Sequence, residues 1–167
     1  MKRFVLMGAA TLALGACVTA DGDMVSPDPL PPLAAQKDAP RLAMLENVLG
    51  RYFASDIPNP PTVCASWHDG RQEEALPPAD EIALIARFPN LAPMTRCTRT
   101  AEGWRDTETE QAALVFTLHN FTCASEESCT AWGGYRSNGD NSMSYLYRGE
   151  WTGTQWQFTQ DPRIIAE

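Results

Sequence analysis

"LVFTLHNFTCASEESCTAWGGYR", residues 114–136, is the stretch on which the fold turns. Alternation along its first ten residues puts Leu114, Phe116 and Leu118 on one face and Val115, Thr117, His119 and Phe121 on the other. They are also rich in β-branched and aromatic residues, so they predict a strand. "CTAWGGYR" (129–136) predicts a second strand, and "CASEESC" (123–129) between them has the length and polarity of a hairpin loop. Opposed residues at a non-hydrogen-bonded site of an antiparallel pair lie close enough for a disulfide, which makes Cys123 and Cys129 a staple. A zinc clip needs tighter spacing and further ligands nearby, whereas His68 and His119 are distant in the chain. A redox pair reads Cys-x-x-Cys in electropositive surroundings, and Glu126 and Glu127 disfavour a thiolate.

Outward from this hairpin, turns at "TAEGW", "RSNGDNS" and "WTGTQ" separate further expected strands near 95–100, 142–151 and 154–160. Upstream, "PRLAMLENVLGRYFAS" places Leu42, Leu45, Val48, Leu49, Tyr52 and Phe53 at helical spacing, with Asp38 as the expected cap and Pro40 in the first turn. "DIPNPP" ends that helix, "TVCASW" predicts a short strand, and "HDGR" a turn. "PPADEIALIARFP" predicts a second helix with Ile82, Ile85 and Phe88 as its buried stripe. The expectation is an α+β domain over 39–167, with two N-terminal helices packed on a curved antiparallel sheet of about four to five strands. In element order alone this resembles the cystatin-like and NTF2-like architectures.

At the other end, "MKRFVLMGAATLALGAC" sets Lys2 and Arg3 before a short apolar run, the layout of a secretory signal. "LGAC", Leu14 to Cys17, resembles the lipobox of bacterial lipoproteins. The resemblance implies cleavage of a signal peptide over 1–16 and lipidation of Cys17, with about 0.8 kcal/mol of anchoring per buried methylene. Val18 follows the acceptor where inner-membrane retention usually has Asp, so the family pattern implies outer-membrane anchoring facing the periplasm. Residues 17–38, with prolines at 27, 29, 31 and 32, predict a tether. Setting Cys17 aside leaves an even four of the five cysteines in an oxidising space. Three pairings are possible; the nearest strand partners favour Cys64 with Cys97, worth about 4 kcal/mol in the chain-entropy picture, and Cys123 with Cys129, worth about 2.4 kcal/mol.

A formal charge of −8, more acidic still once Lys2 and Arg3 are removed, argues against a nucleic-acid partner. There is no dinucleotide or P-loop glycine pattern, so no cofactor is expected, and no metal-ligand spacing. His119 is the weak catalytic candidate, as a general base if a sheet cavity brings it to an acid such as Asp56 or Asp106. Trp67 to Gly70 reads as a plain turn, and Ser137 to Asn141 as an Asn-Gly hairpin turn rather than a calcium loop. Trp132 and Tyr135, beside two glycines, are candidates for a stacking surface. Glu126 and Glu127 are candidates for an acidic loop offered to a basic hydrolase. Three readings stand at this point: a non-catalytic lipid-anchored envelope module for a protein, glycan or peptidoglycan partner; a small-ligand or hydrolytic domain with a cavity near His119; and a hydrolase inhibitor.

Overall fold

The computed structural model describes residues 30–137 and 142–165. Cys17, most of the tether and all but the first residue of the Ser137 to Asn141 turn lie outside the described residues.

Helix α1 (Pro40–Phe53) opens on Pro40, whose missing N–H costs nothing in a first turn. Its preceding residue is Ala39, and Asp38 makes no cap hydrogen bond. The apolar stripe Leu42, Leu45, Val48 and Leu49 is buried against one sheet face as its spacing requires. The strands are β1 (Thr62–His68), β2 (Glu73–Ala75), β3 (Cys97–Thr100), β4 (Gly103–Asp106), β5 (Ala113–Ser125), β6 (Ser128–Arg136), β7 (Ser142–Trp151) and β8 (Trp156–Ile165). Helix α2 (Pro78–Ile85) falls between β2 and β3.

Three features correct the expected architecture of two N-terminal helices on an antiparallel sheet of four to five strands. The main sheet has six strands in the order β2-β1-β5-β6-β7-β8, and it is mixed, because β1 runs parallel to β5 from Thr62↔Ala113 to Trp67↔Leu118. A parallel pair needs a long crossover, and the segment holding β2, α2 and a separate β3–β4 hairpin supplies it. The two helices therefore do not precede the sheet together. Finally, α2 buries Leu84, while Ile82 of the expected stripe is 68% exposed. The run Val63 to Trp67 is buried at every position, as befits an interior strand covered on both faces.

The faces differ in character. On the α1 side, Val63, Ala65, Trp67, Phe116, Leu118, Ala131 and Tyr147 form the main core with the helix. On the opposite face a smaller core gathers Cys64, Ala113 and Val115 under Cys97 and Trp104 of the β3–β4 hairpin. Both expected disulfides are present, Cys64–Cys97 fastening the hairpin to β1 and Cys123–Cys129 closing the β5–β6 loop. Asp106, with no exposed surface, completes the hairpin's attachment: it accepts hydrogen bonds from Arg96, from Thr62 Oγ1 at 2.6 Å, from the Glu108 N–H at 2.9 Å and from Thr109 Oγ1 at 3.1 Å. The Arg96 guanidinium, then the Thr62 hydroxyl and the Glu108 amide, hold its carboxyl well below the usual aspartate range.

Candidate functional site

The β3–β4 hairpin covers only part of its sheet face. Beyond it, strand alternation lines up a row of polar side chains across four strands. Thr117 pairs with Ser66 on one side and Gly134 on the other; Gly134 pairs with Ser144, and His119 with Trp132. A period of two then puts His68, Ser66, Thr117, His119, Trp132, Arg136 and Ser144 on the face carrying Cys64 and Val115. Of these, His68, His119, Trp132, Arg136 and Ser144 line a cleft of about 350 Å³, with Gly70 and Asn120 at its rim. Residue 134 faces the same side and has no room for a side chain: a Cβ there would lie 1.8 Å from the Met143 carbonyl oxygen.

Local backbone features aim the lining. β5 carries one extra residue between His119 and Thr122, and Asn120 takes a left-handed conformation (φ 52°) there. Asn is among the few side chains that tolerate this, and such bulges re-aim neighbouring residues. At the end of β1 the expected turn forms: the Asp69 carboxylate accepts the N–H groups of Arg71 at 2.6 Å and Gln72 at 2.8 Å, and they pull its pKa down. Within that turn the Gly70 N–H donates to His68 Nδ1 at 3.0 Å. With Nδ1 accepting, Nε2 of His68 carries the ring proton. The imidazoles of His68 and His119 meet edge to face, with ring centroids 6.1 Å apart.

Glu73 of β2 pairs with His68 in the ladder, and its side chain is 5% exposed. It receives Arg99 of the hairpin at 2.9 Å and Arg136 of the cleft at 3.3 Å. This bridge ties the hairpin, the sheet edge and the cleft wall together. Next to it, Ser66 and Thr117 are almost wholly buried, and their hydroxyls have no hydrogen-bond partner among the described residues.

His119 and Trp132 thus enter a cleft, but neither acid expected beside His119 does. Asp106 is committed to the Arg96 network, and Asp56 is exposed in the loop after α1. Trp132 and Tyr135 do not form one stacking surface, because the continuous β6–β7 register places them on opposite faces and Tyr135 packs against Phe116. Glu126 and Glu127 sit exposed at the β5–β6 tip, with Glu127 3.4 Å from Lys37. Sequence reasoning assigns His68 and Asp69 to a turn in preference to an exposed pair, and it misses Arg136 and Ser144. Arg136 was within reach of the hairpin alternation, four residues beyond Trp132; His68 was not, since only the parallel β1–β5 pairing brings it to His119. No group of three or more potential metal ligands occurs among the described residues. No protein-family model matches the chain, and no curated protein or solved structure is similar to it.

Proposed function

We propose that this chain is a lipid-anchored cell-envelope module, held in the outer membrane through Cys17 and facing the periplasm, that binds a small ligand in the His68–His119 cleft. The observation that carries the reading is the cleft itself, a concavity on a disulfide-fastened sheet where several polar side chains converge beside one aromatic plane. It is more polar than most small-molecule sites but of their size, and it has the convergent polar groups that fix a ligand's orientation. Two formed disulfides support an oxidising compartment. Binding is favoured over hydrolysis because none of the described residues lining the cleft is a carboxylate that would orient His119 as a base.

The test uses the two histidines, which are the only ones in the chain and both line the cleft. Imidazole nitrogen NMR therefore reports on the cleft alone. A small-molecule fraction of the periplasm and digested cell wall should shift both histidines at once. If that fraction leaves both signals unmoved, the cleft is not the binding site. The intact mass of the native protein tests the anchor, which is expected to add a lipid mass at Cys17.

A further inference from the structure

Resting on the cleft reading, we infer that the occupant is a small organic anion, with an acid group held by Arg136 and the two imidazoles and a ring laid on Trp132. The lining is rich in donors, with the Asn120 amide and one nitrogen of a neutral imidazole also able to accept. Arg136 can only donate, as can the Trp132 indole; His68 presents Nε2–H because Nδ1 is occupied by the Gly70 amide; and the Ser144 hydroxyl can turn to donate. A carboxylate or phosphate is the complement, since it accepts along every lone pair and makes charge-assisted bonds. None of the described lining residues carries a negative charge, although the chain has 21 acidic residues against 13 basic ones.

Among the described residues, two acids beside the cleft are occupied. Glu73 lies between Arg99 and Arg136, and Asp69 accepts two amides of its own turn. With Arg99 engaging Glu73 from the hairpin side, Glu73 also holds the Arg136 guanidinium in place on the cleft wall. Half-buried Trp132, paired with His119 in the ladder, offers the flat surface that a sugar or aromatic ring requires. A cleft of about 350 Å³ falls near the lower end of small-molecule sites, which suits one ring bearing one acid group. A metal on His68 Nε2 would need the ring proton to move to Nδ1, which would leave the Gly70 N–H without its acceptor.

The experiment titrates the nitrogen-15-labelled full mature chain with glucuronate, glucose 6-phosphate and neutral glucose, reading both imidazoles and the tryptophan indoles. At least one anion is expected to shift both imidazoles together with one indole, and to bind about tenfold or more tighter than glucose. The carboxylate and phosphate arms tell which acid group is preferred. Raising the salt concentration should weaken the anion and leave glucose unchanged, and Arg136→Gln should abolish the preference. The salt series needs no variant, so it decides the matter even if Arg136→Gln does not fold. Glucose binding as tightly as both anions, or an anion affinity indifferent to salt, overturns the inference while leaving the cleft as a site. If none of the three probes moves the imidazoles but the envelope fraction does, the anion inference alone fails; if neither does, both readings fail.

Discussion

Replacing both Cys64 and Cys97 by alanine removes the bond that fastens the β3–β4 hairpin to β1. The pair closes a loop with a sequence separation of 33, for which the chain-entropy model gives about 4 kcal/mol of lost stability. For a domain of this size each kcal/mol moves the midpoint by about 4 °C, so the double variant should melt about 15 °C below the parent. Replacing Cys123 and Cys129 opens a loop with a separation of 6 and should cost about 2.4 kcal/mol, or about 10 °C. Burial widens the gap, because Cys64 and Cys97 are both buried whereas in the second pair Cys129 is buried and Cys123 exposed, so truncation leaves the larger defect at the first site. Scanning calorimetry of the parent and both double variants, without reductant, measures the order directly. A smaller loss for the Cys64/Cys97 pair than for the Cys123/Cys129 pair would refute the assignment of the long bridge as the hairpin's main fastening.

Two glycines should respond with opposite signs. Gly134→Ala forces a Cβ toward the Met143 carbonyl and should destabilise by about 3 kcal/mol as β6 and β7 separate, whereas Gly50→Ala, in α1 with its nearest neighbour Phe88 at 3.8 Å, should stabilise by about 0.5–1 kcal/mol in urea titrations. Asp106 sets an acid dependence. Its folded-state pKa is depressed, so as pH falls below about 4 the unfolded chain takes up the proton first and stability drains away with further acidification. Asp106→Asn should therefore be less stable than the parent at neutral pH and lose less on acidification; parallel curves of stability against pH would show that the buried carboxylate is not ionised.

Local patterning made much of the fold legible. The alternation of residues 114–122 and the Cys123 to Cys129 loop specified the central hairpin and its staple, and the apolar spacing of residues 42–53 specified α1 and its buried face. What stayed hidden depends on long-range pairing. A strand that is buried throughout, such as Val63 to Trp67, has no alternation to reveal its direction, so its parallel partnership with β5 could not be read. The expected stripe of α2 is present in part: Ile85 and Phe88 pack against the main core, but the helix buries Leu84 most deeply and leaves Ile82 in solvent. His119 could be singled out as a lone titratable residue on an apolar strand. Its neighbour His68 lies 51 positions earlier and reaches it only through that parallel pair. Asp106, as free in sequence as any acid, turned out to be a structural anion because Arg96 and Thr62 converge on it.

The cleft depends above all on β1 bringing His68 beside His119, and a nuclear Overhauser measurement between the two imidazoles tests this without any ligand. With ring centroids 6.1 Å apart and one ring edge turned to the other's face, their carbon-bound protons should give a direct cross-peak. If both histidines are assigned and well ordered yet show no mutual cross-peak, β1 does not run alongside β5 in this register, and the site proposed here does not exist.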